Sequence, residues 1–378
     1  MIYLDHNASS PLRPGILDVV LSVMAQQVGN PASVHWAGRM ARQYLDEARR
    51  HVAALLDLHE SRIVFTSGGT EANNLALFGL AAAKGYQGEL LTSQVEHPSI
   101  LQACEVLAHQ GMTVKYLRVD GAGRVDPGEV ASALTRQTVL VSIMAANNET
   151  GVLQPIHDIG AICQAAGVPF LVDATQWVGK IPLHPDSVPA DLVTLSAHKF
   201  GGPKGVGALI ITPSLLLEPR MLGGGQERGR RAGTENLSGI AGFGAAAALI
   251  KTTLIHEQSS VTALRERLES QLLAAVPDAV LWGVQAERLP NTTAVGIPGL
   301  DGETLVMTLD LAGFAISSGS ACSSGKTTPS HVLRAMGVDP ALSQSAVRIT
   351  LGWNSTSHDV DSFVNAFYRS VNRLRKGS

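Results

Sequence analysis

An aspartate and a lysine follow two strand-like apolar runs near the middle of the chain. Asp173 comes directly after residues 170–172, and Lys199 comes three residues after the run 192–196. A lysine amine forms a Schiff base with an aldehyde, and a carboxylate beside a pyridine nitrogen keeps that nitrogen protonated, so that the ring can accept electrons. The pair therefore predicts pyridoxal phosphate chemistry, and the glycines after the lysine leave room for a flat cofactor.

Three short segments could hold the phosphate group of such a cofactor. Gly69 and Thr70 lie between a predicted strand and a predicted helix, where glycine lets the backbone approach an anion and helix-start amides can donate to it. Ser196 and His198 flank the lysine, and Thr234 lies in a glycine- and arginine-rich stretch that a neighbouring subunit could supply. A helix cap, packing at a strand end and a solvated basic turn are the respective structural alternatives.

Four further polar residues could act on the ring or on a substrate. His97 could stack on a flat ring and transfer protons near neutral pH. Asn148 and Gln176 could hydrogen-bond the phenolic oxygen of the cofactor, and Asn148 could instead contact the substrate. Arg348 lies on an apolar strand, and its fork geometry suits an α-carboxylate. A capped loop histidine, polar turns and an internal ion pair are the alternatives.

One of the chain's three cysteines is a candidate nucleophile. Cys322 stands among small and polar residues at 317–330, so we expect it to be accessible, and thiolates are strong nucleophiles. Cys104 and Cys163 have apolar neighbours, which predicts that they are buried and inert. Three scattered cysteines are too few for a disulfide framework or a thiolate metal site, so no metal site is expected.

The composition favours a soluble enzyme that acts on small molecules. The chain has 378 residues, of which 45% are hydrophobic, and it contains 38 glycines, as α/β enzymes with many tight turns do. A net charge of −3 provides no basic field for nucleic acid or anionic membranes. No apolar run reaches the roughly 20 residues of a membrane span, and the first residues do not form a secretory signal. A cytoplasmic location is the expectation.

Strand-like and helical patterns alternate over most of the first two thirds of the chain. The predicted strands are 63–66, 88–92, 114–119, 138–144, 170–173, 192–196 and 206–211. Such alternation predicts a mostly parallel sheet covered by helices, with a ligand at the carboxyl ends of its strands. The stretches 239–254 and 261–275 predict one long helix or two joined helices. Shorter elements beyond them indicate a smaller second domain.

These motifs together resemble the cysteine desulfurases of the NifS/IscS type, in the class V aminotransferase group. The matching segments are 3–9, 29–35, 68–74, 96–98, 147–149, 173–176, 196–205, 231–234, the Cys322 loop and Arg348. The resemblance implies a PLP-dependent transferase of fold type I, with a large domain of mostly parallel mixed sheet and a smaller α+β domain. We expect the large domain at 15–257 and the small domain at 1–14 and 258–378, with a cysteine loop at about 317–330.

The resemblance also assigns roles to the candidate residues. It implies Lys199 as the Schiff-base lysine, Asp173 at the pyridine nitrogen, and His97 stacked on the ring and shuttling protons. Asn148 and Gln176 would hydrogen-bond the cofactor oxygen or the substrate. The phosphate would be held by Gly69, Thr70, Ser196, His198 and, from the second subunit of a homodimer, Thr234. Arg348 would bind the substrate carboxylate, and Cys322 would take the sulfur as a persulfide.

The implied activity is conversion of L-cysteine to L-alanine, with sulfur passed to an iron–sulfur scaffold or another acceptor protein. A cysteine/cystine lyase or a selenocysteine lyase on the same fold is the nearest alternative, and neither needs Cys322. An aminotransferase would not call for an exposed cysteine either. A non-catalytic sulfur-assembly partner is a further alternative, against which the intact Lys199, Asp173 and His97 argue.

Overall fold

A seven-stranded sheet is the centre of the computed structural model, which describes residues 1–26, 28–182, 189–319 and 329–377. The strands in chain order are β1 (Ile2–Tyr3), β2 (Ile63–Thr66), β3 (Glu89–Ser93), β4 (Thr113–Leu117), β5 (Thr138–Met144), β6 (Phe170–Asp173), β7 (Leu192–Ser196), β8 (Gly207–Ile211), β9 (Val280–Trp282), β10 (Thr292–Gly296), β11 (Phe314–Ala315), β12 (Ser317–Ser318) and β13 (Val347–Thr350). Their order in the large sheet is β2-β8-β7-β6-β5-β3-β4. Strand β8 runs antiparallel to both of its neighbours, β2 and β7, and the other neighbouring strands of this sheet are parallel.

Helices cover the sheet and connect its strands. They are α1 (Ile16–Gln26), α2 (Trp36–Ala54), α3 (Gly69–Ala83), α4 (Pro98–His109), α5 (Pro127–Ala133), α6 (Ile156–Ala166), α7 (Leu237–Ala275), α8 (Gly302–Leu311), α9 (His331–Ala335), α10 (Pro340–Gln344) and α11 (Ser357–Gly377). Buried Val, Ile and Leu side chains of the central strands pack against these helices on both faces. The predicted α/β class and the mixed, mostly parallel sheet are confirmed.

The long helix α7 joins two hydrophobic cores. Its first part packs with α1, α2 and the sheet through Phe243 and Ile250, and its last part packs with the small sheet and α11 through Leu268 and Leu272. No glycine or proline interrupts the chain between Leu254 and Val261, so one continuous helix forms rather than two. The domain boundary at 257 stays a prediction.

Helix α7 is long and apolar enough to cross a membrane by length and composition alone. In this fold 56% of its most apolar window is buried against the rest of the protein. A helix that is apolar because it lies in a core needs no lipid around it. We therefore describe α7 as the core helix of a soluble protein.

A four-stranded antiparallel sheet, in the order β12-β13-β10-β9, forms the centre of the smaller part. Strands β1 and β11 pair next to it, so the amino terminus of the chain returns to the region near the end of the sequence. An isolated bridge between Asp5 and Thr350 continues this contact. This packing brings residues 5–9 over the carboxyl edge of the large sheet, where the predicted site residues gather.

Candidate active site

One cleft lies at the carboxyl ends of the central strands. Its lining residues are Asn7, Ala8, Gly69, Thr70, Asn73, His97, Ser99, Met144, Ala146, Asn148, Asp173, Thr175, Gln176, Ser196, His198, Lys199 and Arg348. Strands β3, β5, β6 and β7 run parallel, so the loops after them open at the same edge of the sheet. This topology brings together every predicted site residue in the described part of the chain except Thr234.

Asp173 ends β6 and is buried in the cleft wall. Its Oδ2 accepts a hydrogen bond from Asn73 Nδ2 at 2.8 Å, and its Oδ1 accepts one from the Thr175 backbone N–H at 2.9 Å. The same Asn73 Nδ2 donates to Ser99 Oγ at 2.9 Å. These bonds fix the direction of the carboxylate, as a group that must face one ring nitrogen requires.

Lys199 lies in a short 3₁₀ turn, Ala197–Lys199, that begins directly after β7. Its Nζ donates to the backbone carbonyls of Asn7, at 2.7 Å, and Ala8, at 3.0 Å. The later lysine of the same motif, Lys204, is exposed and does not line the cleft. The choice of Lys199 over Lys204 as the reactive amine therefore agrees with the geometry.

His97 caps the amino terminus of α4. Its Nδ1 accepts the Ser99 backbone N–H at 3.1 Å and lies 2.8 Å from Ser99 Oγ. Burial lowers the pKa of His97; the Asp173 charge opposes this, and Lys199 reinforces it. The ring is thus neutral at pH 7, and because Nδ1 accepts hydrogen bonds, its proton resides on Nε2.

The segment that could hold a phosphate lies at the start of α3. A Cβ added to Gly69 would lie 3.0 Å from Thr175 Oγ1 and 3.7 Å from the Ser196 Cβ, so the glycine keeps this corner open. Thr70 is exposed at its edge. His198 contacts Ser9 Oγ at 3.3 Å, and burial followed by the charge of Lys199 lowers the pKa of His198 to about 4. Neutral His198 and the free amides of a 15-residue helix are suitable phosphate donors.

Arg348 fits both alternatives that the sequence left open, an internal ion pair and a group that faces a ligand carboxylate. Its Nη2 pairs with Asp5 Oδ1 at 2.8 Å, and its Nη1 donates to the backbone carbonyl of Asn148 at 3.0 Å. The internal ion pair is therefore present. The guanidinium nevertheless lines the cleft, and its Nε is buried without a hydrogen-bond partner among the described residues.

One predicted site residue in the described ranges does not line the cleft, and another falls outside those ranges. Thr234 is exposed and lies outside it. Cys322 and most of its loop lie outside the described residues. Cys104 and Cys163 are buried, and burial raises the pKa of each thiol to about 12, which agrees with their predicted inertness.

Sequence reasoning missed several residues that build this site. Asn73 orients Asp173, Asp5 pairs with Arg348, and Asn7 accepts hydrogen bonds from both Lys180 and Lys199. Asn73 stands four residues after Gly69 on α3, so helical spacing was an available signal for it. No local pattern connects residues 5–7 to the site.

The residues present fit pyridoxal phosphate. Asp173 offers the carboxylate, Lys199 the amine, and the start of α3 the anion-binding amides. Two buried polar atoms of the lining, Thr175 Oγ1 and Asn73 Oδ1, have no hydrogen-bond partner within the described part of the chain. Buried polar atoms are usually paired, so such atoms in a cleft indicate that a polar ligand completes them.

The chain is similar to known enzymes over nearly its whole length. A cysteine desulfurase of Trichormus azollae is 44% identical over 378 residues, which is 99% of this chain and 94% of that protein. A solved NifS-like protein of Rickettsia africae matches with a TM-score of 0.90 and 35% identity, covering 98% of this chain and 99% of the other. The solved structure of SspA in complex with cysteine matches with a TM-score of 0.83 and 32% identity, covering 94% and 100%. The pattern of the aminotransferase class-V family matches residues 2–363. The chain therefore belongs to the class-V aminotransferase family.

Proposed function

We propose that this protein is a PLP-dependent cysteine desulfurase, which converts L-cysteine to L-alanine and transfers the sulfur to Cys322 as a persulfide. The observation that carries the proposal is the cleft in which Asp173, Lys199 and His97 meet. Desulfurase relatives that match almost the entire chain support the choice of cysteine as the substrate. A relative whose solved structure contains cysteine supports it further.

The cofactor would be held at three points: its aldehyde carbon, its ring nitrogen and its phosphate. Lys199 would hold it covalently through its amine, Asp173 would bind its ring nitrogen, and Ser196, His198, Gly69 and Thr70 would bind its phosphate. Gln176 and Asn148 would donate to its phenolic oxygen. When bound, the cofactor supplies an electron-accepting ring that stabilises negative charge on the substrate.

Arg348 would orient the substrate. Its Nε has no partner within the described residues, and an α-carboxylate there would accept a hydrogen bond from it. Asp5 already occupies one edge of the guanidinium, so the arginine is held in place before the substrate arrives. His97 carries its proton on Nε2, because Nδ1 accepts the Ser99 hydrogen bond, so it would first donate this proton and then take one back at the same atom.

Cys322 would take the sulfur. Its thiolate would attack the sulfur atom of the bound cysteine, an S–S bond would form, and the Cβ–S bond of the substrate would break. The electron pair of the broken bond would stay with the substrate carbon skeleton, and protonation there gives alanine. The protein would be left with a persulfide on Cys322 that a thiol acceptor can remove.

A homodimer would complete the phosphate site. Thr234 is exposed and outside the cleft of its own chain, so it would contact the cofactor of a second copy. Exposed apolar side chains on α1 and at the start of α2, among them Leu21, Met24 and Trp36, offer a surface that association would bury. A scaffold for iron–sulfur clusters or another acceptor protein in the cytoplasm is the proposed destination of the sulfur.

The decisive experiment substitutes the nucleophile. Cys322→Ala should lower sulfide release from L-cysteine in the presence of a reductant by more than about 100-fold, since the covalent step loses its thiol. Cys163→Ala is the matched control because Cys163 is buried, and it should keep its activity. Mass spectrometry after one turnover should find an added sulfur on the peptide that contains Cys322.

Undiminished sulfide release by Cys322→Ala would contradict the desulfurase proposal and favour a lyase. Comparison of cysteine, cystine and selenocysteine turnover, with pyruvate measured beside alanine, would then identify the lyase. A protein that binds no pyridoxal phosphate, and therefore has no visible absorption band that borohydride removes, would instead be a non-catalytic partner.

A further inference from the structure

A second lysine lies behind the cleft and contacts the residues that face it. Lys180 is only 8% exposed, and it lines a separate small cavity on the far side of Lys199 rather than the cleft itself. Its Nζ donates to Gln176 Oε1 at 2.5 Å and to Asn7 Oδ1 at 2.6 Å. A buried lysine needs such partners, and here both partners are side-chain amides that line the cleft.

The two amides are connected to each other and to Lys199. Gln176 Nε2 donates to the Asn7 backbone carbonyl at 3.0 Å, and Lys199 Nζ donates to the same carbonyl at 2.7 Å. Asn291 Nδ2 donates to Asn7 Oδ1 at 3.0 Å, and Asn7 Nδ2 donates to Thr292 Oγ1 at 2.9 Å. Asn7 Nδ2 also donates to the Asn148 backbone carbonyl at 3.2 Å, and this carbonyl, which can only accept, determines which end of the Asn7 amide is the nitrogen.

Lysine determines which end of the Gln176 amide faces it. A lysine amine donates its N–H groups to these oxygens, so Oε1 must point towards Lys180, and Nε2 is the group left for a ligand in the cleft. The Asn7 backbone carbonyl, which accepts from Nε2, favours the same direction. Without Lys180 this single contact would be left to hold the amide, and an amide that rotated would bring its oxygen against the phenolic oxygen of the cofactor, another acceptor.

The charges around Lys180 are mostly positive. Burial, followed by the charges of Lys199 and Arg348, lowers the pKa of Lys180 well below its ordinary value, and His6 also faces it. Within the described residues its two hydrogen-bond partners are neutral amide oxygens, Gln176 Oε1 and Asn7 Oδ1, rather than a carboxylate.

We propose that Lys180 is a positioning residue, which holds the Gln176 amide with its nitrogen available to the phenolic oxygen of the cofactor. This inference rests on the proposed function, because it concerns how the same site binds pyridoxal phosphate. It assigns no chemical step to Lys180, which touches neither the cleft nor a substrate.

The test is a pH titration of the visible absorption band of the bound cofactor. A donor to the phenolic oxygen stabilises the unprotonated form of the cofactor–lysine linkage most, because that form has the larger charge on oxygen. Lys180→Met should therefore raise the titration midpoint by about one pH unit, the size expected for one lost hydrogen bond to a charged acceptor. Lys84→Met, the same change at an exposed position, should leave the midpoint unchanged.

The shift of the titration midpoint in Lys180→Met should depend on Gln176. We expect Gln176→Ala to raise the midpoint by a similar amount, and the double variant to add nothing to either single change. Lys180→Gln, which keeps an N–H donor, should restore most of the wild-type midpoint and serves as the second variant if Lys180→Met does not fold. Urea unfolding of the cofactor-free variants measures any purely structural loss separately.

Two results would overturn the assignment. One is a wild-type midpoint in folded Lys180→Met together with a raised midpoint in Gln176→Ala. The other is full additivity of the two single shifts, because independent effects add. A wild-type protein without any visible band in excess pyridoxal phosphate would instead remove the proposed function, so the two failures can be told apart.

Discussion

Glu96, the residue before His97, is buried, and hydrogen bonds reach one of its two carboxyl oxygens. Its Oε1 accepts hydrogen bonds from Ser93 Oγ at 2.6 Å and the Met144 N–H at 3.0 Å, but its Oε2 has no partner among the described residues. Burial raises the pKa of Glu96 to about 8; these two hydrogen bonds oppose the rise, and the charge of Asp173 adds to it. The carboxyl group is therefore protonated in the folded protein at neutral pH.

This protonation links stability to pH. Between about pH 4.5 and pH 8 the folded protein keeps a proton on Glu96 that the unfolded chain has lost, so raising the pH over this window favours unfolding. Glu96→Gln resembles the protonated form and has no proton to lose. We expect the variant to gain on the order of 1–3 kcal/mol in unfolding free energy relative to wild type between pH 5 and pH 8.

Urea unfolding at several pH values measures this difference, with Glu105→Gln on the exposed face of α4 as the control. The unfolding free energy of the control should differ from that of wild type by the same amount at every pH. If the unfolding free energies of Glu96→Gln and wild type changed with pH in parallel, Glu96 would be ionised in the folded state.

At the scale of elements, the strained turn Gln226–Gly229 is hydrogen-bonded to β2 at the edge of the large sheet. Glu227 and Arg228 have positive φ angles of 45° and 59°, a backbone region that costs on the order of 1–3 kcal/mol for residues other than glycine. The Glu227 carboxylate accepts hydrogen bonds from both Nη atoms of Arg49, at 2.7 and 2.8 Å, and from the Phe65 N–H at 2.9 Å. These buried bonds offset the strain and hold the stretch that leads to Thr234.

Removing the charge at Glu227 should destabilise the protein strongly. Glu227→Gln leaves the Arg49 guanidinium buried without its counter-charge, so we expect a loss of about 3 kcal/mol in the free energy of unfolding by urea. Asp46→Asn removes the partner of an exposed helical pair with Arg42 and should cost less than about 0.5 kcal/mol. Equal losses in the two variants would show that the buried pair has no special role.

At the scale of the whole molecule, one surface has the character of an interface. Leu17, Leu21 and Met24 follow helical spacing on α1 and are 51%, 53% and 66% exposed, whereas Ile16 and Val23 of the same helix are buried. Large exposed apolar side chains that share one face are costly in a monomer. The proposed homodimer would cover them.

We expect the wild-type protein to have twice the 39.7 kDa mass of one chain in light scattering after gel filtration. Leu21→Glu combined with Met24→Glu should yield the single-chain mass and weaken cofactor binding, because burying two carboxylates is unfavourable and Thr234 of the second copy is lost. Leu311→Glu, at an 89% exposed position on α8, is the control and should remain dimeric. A wild-type protein of single-chain mass would contradict the homodimer.

Much of the cleft could be predicted because short-range patterns determine it. Strand lengths and the glycines after them indicated that Asp173 and Lys199 lie at the ends of neighbouring strands, and the loops after parallel strands share one edge of a sheet. The ends of the long helix were predicted at 239 and 275, within two residues of those of α7, Leu237 and Ala275, since caps and apolar periodicity are local signals.

The sequence by itself determined which reactive groups are present and which edge of the sheet they share, because both depend on residue type and on contacts within a few residues. Only the tertiary structure decided their partners. Asn7 meets Lys180 across 173 positions of sequence, and Asp5 meets Arg348 across 343. Such contacts depend on how distant segments pack, and the electrostatic state of each buried group depends on those contacts in turn.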